Sequence, residues 1–296
     1  KGWCKKGEIV CGYHGWQYNR SGEVTRVPQQ RIERGNSKFR IKSFHCEARY
    51  GYAWVCLGEP LEEIPTIEED NDTNFRRIQQ FSEVWHTSPL RFMENSFDNA
   101  HFAFVHKGTF GDMEQPVPKR YQLTETVFGF EADAVVDILN PPKSHRVTGS
   151  TDNEIERHLR NRWYLPFCRR LDIGYSSGIR HIIFNCATPI DDKSIHIAQI
   201  LYRNDKEEDC SASELIAWDQ AVIDEDKEIL ESTDYDAPLD SSTGEEGSMV
   251  SDQPGLILRK RLLKLLKENG EREVRAEHNA HFSRAETSTR STSESL

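Results

Sequence analysis

The stretch Asn95-Ser96-Phe97-Asp98-Asn99-Ala100-His101-Phe102-Ala103-Phe104-Val105-His106 sets two histidines five residues apart, with an aspartate three residues before the first. Its surroundings are apolar: Phe92, Phe97, Phe102, Phe104 and Val105. An imidazole in such a setting costs free energy unless its nitrogens find partners. A hydrogen-bonded pair of core histidines would satisfy them. So would a metal ion, and imidazole suits iron, zinc and copper. The spacing adds a constraint. At about 100° per residue, positions five apart stand about 140° apart on an ideal helix. Zinc-protease histidines four apart share a face; these do not. A shared metal therefore needs a local distortion, or one ligand just past a helix end. With one distant carboxylate, the pair would complete the facial triad of a non-haem Fe(II) centre.

That carboxylate has to be found among many acids. Leu215 to Leu230 reads as a helix, with Leu215, Val222, Ile223, Ile229 and Leu230 marking one face. Asp226 falls on that face, between Val222 at i−4 and Ile229 and Leu230 at i+3 and i+4. Asp224, Glu225, Lys227 and Glu228 are expected to point elsewhere. Asp219 shares the face nearer the helix start and is the second candidate. A solvated acidic helix with one aspartate at its boundary is the competing reading. A buried carboxylate must be paired or metal-bound.

The N-terminus supplies a second signal: Cys11-Gly12-Tyr13-His14-Gly15-Trp16-Gln17-Tyr18. Cys-x-x-His is one half of a Rieske ligand set, in which two thiolates and two imidazoles hold a [2Fe–2S] cluster. Ile9-Val10 reads as a strand into the motif. Gly12 and Gly15 allow a tight loop. A small zinc site with Cys4, Cys11 and His14 as ligands is the other reading.

Taken together, the chain resembles the oxygenase α-subunit of a Rieske non-haem iron oxygenase. The matching stretches are Cys11 to Tyr18, Arg49-Tyr50-Gly51-Tyr52-Ala53-Trp54-Val55-Cys56-Leu57-Gly58, Met93 to His106, and the acidic helix around Asp226. The wording resembles the branch of mononuclear-iron hydroxylases and demethylases, which includes cyanobacterial saxitoxin-pathway hydroxylases and dicamba-type demethylases. The resemblance implies an α+β fold: a small all-β Rieske domain, then a helix-grip catalytic domain built on an antiparallel sheet. It implies a [2Fe–2S] cluster with Cys11 and His14 among its ligands. It also implies a mononuclear Fe(II) on His101, His106 and Asp226, the last matching the family's Glu-Asp-x-x-x-x-Glu-like helix at Glu225 to Glu231. Asp98 would hydrogen-bond an iron-ligand histidine and bridge to the Rieske histidine of a neighbouring subunit, in a ring-like homotrimer. Electrons would come from a ferredoxin or flavoprotein reductase. With O₂, they would hydroxylate or demethylate a small organic substrate, as a mono- or dioxygenase.

The family's other half-motif, Cys-x-His, stands upstream of Cys-x-x-His, whereas this chain begins ten residues before Cys11. The expectation is an N-terminally truncated sequence with two of the four cluster ligands, which binds no stable cluster alone. Two other classes remain open on the residues: a non-catalytic helix-grip ligand-binding protein, and a structural zinc protein.

Composition bounds the rest. The 296 residues suggest two domains, and 36% hydrophobic residues with 10% aromatics suffice for a core. A net charge of −11 argues against a nucleic-acid binder, which would carry a basic face. No run of apolar residues is long enough for a membrane span, and no signal peptide is visible, so a cytoplasmic location is expected. The seven cysteines are an odd number. Cys46, Cys56, Cys168 and Cys186 read as small buried hydrophobes, which fits a reducing compartment.

Along the chain, residues 1–60 form the remnant Rieske domain, with strands at Glu8 to Val10, Phe39 to Cys46 and Tyr52 to Leu57, and a hairpin-type turn at Asn19-Arg20-Ser21-Gly22. An acidic, proline-bearing linker spans 61–74. The catalytic domain spans 75–268. Its strand-like runs are Arg76 to His86, Val127 to Ala132, Arg180 to Ala187 and Ile195 to Tyr202. Leu256 to Lys267 reads as a basic amphipathic helix docked on the domain with its basic face in solvent. Residues 269–296 read as a disordered tail. Phe92, Phe97, Phe110 and Trp163 are candidates for a substrate lining or for core. There is no phosphate-binding glycine loop, which leaves nicotinamide to a separate reductase.

Overall fold

The computed structural model describes residues 1–30, 39–127 and 129–276. The chain divides into two compact units, Lys1–Thr66 and Ile67–Leu296.

The first unit holds an antiparallel sheet of β1 (Gly2–Lys5), β2 (Glu8–Cys11), β3 (Gln17–Tyr18) and β4 (Val24–Arg26), in that order. A hairpin of β5 (His45–Arg49) and β6 (Tyr52–Cys56) lies beside them in the sequence. The β3–β4 turn forms because Asn19 Oδ1 accepts the N–H groups of Ser21 and Glu23, each at 3.0 Å. Gly22 takes the left-handed conformation at φ 79° that a side chain would resist. The strand expected from Phe39 begins only at His45; before it, Arg40 makes a single bridge to Glu23.

The second unit is a seven-stranded antiparallel sheet. Its strands are β7 (Arg76–Trp85), β8 (Gln122–Thr126), β9 (Gly129–Leu139), β10 (Glu154–Tyr164), β11 (Cys168–Tyr175), β12 (Arg180–Asp191) and β13 (Ser194–Arg203). They lie in the order β7-β13-β12-β11-β10-β9-β8. The run expected from Val127 starts two residues later, because Val127 belongs to the β8–β9 turn. Strand β10 alternates exposed and buried residues along its length. Two of its inward residues, Arg157 and Asn161, are polar, which hides the strand from a hydrophobic pattern.

Among the described residues, five α-helices accompany the sheet: α1 (Pro89–Phe97), α2 (Phe102–Val105), α3 (His145–Thr148), α4 (Ala212–Ser232) and α5 (Gln253–Glu268). Phe92, Met93 and Phe97 of α1 and Leu258 and Leu262 of α5 pack with Trp85, Phe130 and Trp163 of the sheet. Leu215 and Trp218 of α4 pack with Val136, Leu159 and Ile173. Burying a side chain of this size contributes about 1.5–3 kcal/mol, so these contacts fix both ends of the helix layer. Helix α5 is docked as expected, with Lys260, Lys264 and Lys267 in solvent. Arg259, however, is buried and pairs with Glu94 and Glu246. The expected tail lies outside the described residues from 277 onward. Its first part is ordered, with Arg275 pairing Asp236 and Glu245 at 3.1 Å each. Among the described residues, no helix is long and apolar enough to cross a membrane.

Candidate metal centre

Helix α1 begins where Ser88 Oγ accepts the N–H of Arg91, with Pro89 at the first helical position. It ends at Asp98, whose backbone is extended at φ −85°, ψ 139°. Asp98 and His101, three residues apart, are thus not on one helix. The two are joined by a tight turn that the aspartate itself builds. Asp98 Oδ1 accepts the N–H of Ala100 at 2.7 Å, and Oδ2 accepts the N–H of His101 at 3.2 Å. The same Oδ2 is 3.0 Å from His101 Nδ1.

His101 and His106 flank the four-residue helix α2, one as its N-cap and the other as its C-cap. This resolves the five-residue spacing: the pair meets because the helix is a single turn and each ligand lies at an end. Their Nε2 atoms are 3.2 Å apart. Helix α4 starts from a capping box between Ser211 and Glu214 and carries Asp226 to the same point. Asp226 Oδ1 is 3.4 Å from His101 Nε2 and 3.5 Å from His106 Nε2. Among the described residues, these three form the only group of three or more His, Cys, Asp or Glu donors drawn together in this way.

Glu225, expected to point elsewhere, also reaches the site. Its Oε2 is 3.1 Å from His106 Nδ1 and accepts from Thr109 Oγ1 at 2.7 Å. Gly108 makes room, since a Cβ there would come within 2.4 Å of Glu225 Oε1. Ile229, read as part of the buried face, is instead 47% exposed. The second carboxylate candidate, Asp219, is buried elsewhere. It accepts from His181 Nε2 at 3.0 Å and from Gln80.

The polar bookkeeping around the three donors fits a cation. Each imidazole has its Nδ1 against a carboxylate, Asp98 for His101 and Glu225 for His106. An Nδ1–H donated there leaves Nε2 of each ring a bare lone pair. Asp226 Oδ1 is buried with no hydrogen-bond partner. Three lone-pair donors thus converge with no proton among them, which is unfavourable unless a cation lies between. Atoms bound about 2.1 Å from one metal lie about 3 to 3.5 Å apart, which the observed distances match. Burial, then the neighbouring His101 and Arg157, push His106 down to about 2, so it stays neutral. Burial raises the Asp226 carboxyl above its ordinary value. Burial would also raise Asp98, but the His101 ring and the N–H groups of Ala100 and His101 outweigh it and hold Asp98 low.

A cavity of about 100 Å³ adjoins the three donors. Phe92 and Phe110 line it with Asn161, Arg169, Asn185 and Gln199. Phe97 and Trp163, the other two aromatic candidates, belong to the core. Arg169 Nε donates to Asn161 Oδ1 at 2.7 Å, and burial lowers its guanidinium to about 10, still charged at neutral pH.

In the first unit, Cys11 ends β2 and His14 follows in a tight loop. The N–H of Cys11 donates to Trp16 O at 2.8 Å and that of Gly15 to Cys11 O at 3.0 Å. Gly15 is left-handed at φ 73°, and a Cβ on Gly12 would meet Lys1 O at 2.8 Å. The N–H groups of Tyr13, then His14, lower the Cys11 thiol from its usual value, the environment a metal-bound thiolate needs. His14 is exposed. Cys4 is exposed on β1, opposite Ile9, and the three-ligand zinc site with Cys11 and His14 does not form among the described residues.

The fold and the two sites define a class: a small β unit with a cluster-type Cys-x-x-His loop, joined to a catalytic unit with a two-histidine, one-carboxylate centre. The comparisons agree. The profile of the vanillate O-demethylase oxygenase C-terminal domain matches residues 85–268, and that of the Rieske [2Fe–2S] domain matches residues 1–45. Methylxanthine N1-demethylase NdmA of Pseudomonas putida is 31% identical over 87% of this chain and 70% of its own length. The structure of that enzyme with caffeine superposes with a TM-score of 0.74 at 27% identity, covering 90% of this chain and 75% of the other. Dicamba monooxygenase bound to dicamba shares the fold at a TM-score of 0.75 and 18% identity, over 92% and 83% of the two chains. The chain belongs to the Rieske-type non-haem iron oxygenases, as an oxygenase α-subunit. It is an oxidoreductase whose cofactors are a Rieske [2Fe–2S] cluster and a mononuclear iron. The non-catalytic and structural-zinc readings fall with that membership.

Proposed function

We propose that the chain is an O₂-dependent demethylase of small N- or O-methylated aromatic or heteroaromatic molecules, with one Fe(II) on His101, His106 and Asp226. The single observation that carries the iron assignment is the buried, unpartnered Asp226 Oδ1 facing two imidazole nitrogens. Iron held by His101, His106 and Asp226 would supply the O₂ chemistry. The protein's own residues do the rest. Asp98 and Glu225 fix the tautomers of His101 and His106 and aim both Nε2 atoms at one point. Phe92 and Phe110 exclude water beside that point. Asn161, Asn185, Gln199 and Arg169 offer hydrogen bonds that orient a polar ring. The substrate class rests on that mixed lining and on the relatives, whose names specify methylxanthine and vanillate demethylation.

In this reading Cys11 and His14 are ligands to the [2Fe–2S] cluster, fed by a ferredoxin or flavoprotein reductase. Asp98 links His101 to the cluster histidine of a neighbouring subunit in a homotrimer. The chain divides into a Rieske domain at 1–60, a linker at 61–74, a helix-grip catalytic domain at 75–268 and a tail at 269–296. It works in the cytoplasm.

The test is product analysis with the cluster and iron reduced, using methylxanthines and methoxybenzoates as probes. Demethylation predicts one formaldehyde released per O₂ consumed. A hydroxylated product that keeps its methyl group would move the assignment from demethylation to hydroxylation.

A further inference from the structure

Cys168 opens β11, and Cys186 is its direct partner on β12. Their Sγ atoms are 3.2 Å apart, and both residues are partly buried. The cavity is lined by Arg169, Leu171 and Ile173 of β11 and by His181, Ile183 and Asn185 of β12. Strand alternation therefore puts both thiols on the opposite face of the sheet. The iron chemistry makes no use of them. We propose that Cys168 and Cys186 form a reversible dithiol–disulfide site, oxidised by hydrogen peroxide.

Paired Cα atoms in an antiparallel sheet lie about 4.5–5.5 Å apart, inside the about 4.4–6.8 Å range that disulfides span. Bond formation needs the sulfurs to close by only about 1.2 Å, from contact to the about 2.05 Å of an S–S bond. The backbone register already supplies the alignment. With peroxide, one thiolate attacks an O–O oxygen, giving a sulfenic acid and a first water. The second thiol attacks that sulfur and expels a second water as the S–S bond forms. Two electrons and two protons leave the pair, and one peroxide becomes two waters. Contact with Cys168, then burial, raises the Cys186 thiol well above its usual range, which leaves the first attack on peroxide to Cys168. The bond would staple β11 to β12 directly behind Arg169, on the wall of the cavity.

The experiment treats the full chain with hydrogen peroxide under native conditions. Thiols are then blocked and the chain mapped as non-reduced peptides. The expected result is a linked peptide joining Cys168 to Cys186, two fewer titratable thiols, and reversal by dithiothreitol. The exposed Cys4 and Cys46 serve as internal controls. The oxidised parent should also melt at a higher temperature than the reduced parent, and Cys186→Ser should lose both the link and the shift. Oxidation confined to other cysteines, a stable sulfinic acid at Cys168 without a link, or full retention of thiols would each overturn the proposal. The parent's peptide map decides the matter even if the variant does not fold.

Discussion

The Nδ1 atoms of His101 and His106 each face a carboxylate from outside their own helix turn, and that is what makes the centre a metal site and not a buried polar accident. Asp98 acts from the end of α1 and Glu225 from α4, so the two imidazoles are aimed by different elements. A metal ligand left without its orienting carboxylate typically loses about 10–100-fold in affinity. Glu225→Ala should weaken Fe(II) binding by that amount, while Glu225→Gln, whose amide oxygen still accepts from Nδ1, should keep most of it. An iron titration followed by metal analysis checks both; equal losses in the two variants would remove the orienting role. His101, His106 and Asp226 were legible in the sequence, because two histidines among phenylalanines and an aspartate among helix apolar positions need a common explanation. Glu225 was not. Its neighbour at 226 took the inward position on the helical pattern, and only the approach of Gly108 shows that a second acid fits.

Among the elements, β7 and α4 share a buried polar chain that stabilises the wall behind the site. The pairing of β7 with β13 shifts at Gln80, and the extra residue turns that amide toward Asp219. Gln199 Nε2 donates to Gln80 Oε1 at 2.7 Å, and His181 Nε2 reaches Asp219 at 3.0 Å. His181 Nδ1 faces Arg203 Nη1 at 3.0 Å, so the ring is neutral with its proton on Nε2. Burial, with Arg203 and Arg157 and against the pull of Asp219, lowers His181 below its usual 6.5. The unfolded chain then binds the extra proton first as pH falls. The stability this contributes is present above about pH 6.5 and declines below it, by at most about 1.4 kcal/mol per pH unit. Urea unfolding at pH 7.5 and pH 5.5 should show that slope in the parent and a smaller one in His181→Gln; identical slopes would contradict the assignment. Sequence patterns found β7, β12, β13, α4 and α5, where apolar residues mark the buried face. They missed β10 and β11, whose inward Arg157, Asn161 and Arg169 serve the cavity and break the alternation.

At the scale of the molecule, the proposed cluster ligands and the iron centre lie on separate units, each with an exposed or partly exposed imidazole or acid at its rim. His14 is exposed and Asp98 keeps 28% of its side-chain surface. In the proposed ring, the His14 loop of one subunit faces Asp98 of the next. Asp98→Asn in the assembled protein should keep both metal centres, because the amide oxygen still accepts from His101 Nδ1, and should slow oxidation of the reduced cluster about tenfold or more, because the charged carboxylate proposed to meet the neighbouring cluster histidine is gone. Stopped-flow oxidation and sedimentation read the two parts separately. Cluster oxidation at the parent rate, or a fully active monomer, would contradict the route between subunits. The order of the two units followed from the motifs; how copies assemble depends on surfaces that motif spacing does not encode.

The central claim is that His101, His106 and Asp226 hold one iron. Its most direct measurement is the mononuclear iron content of the Asp226→Ala protein beside the parent, by metal analysis with cluster iron counted separately, and with circular dichroism to show that the fold is kept. The account predicts close to one mononuclear iron in the parent and almost none in the variant. Full iron retention in a folded Asp226→Ala protein would contradict it.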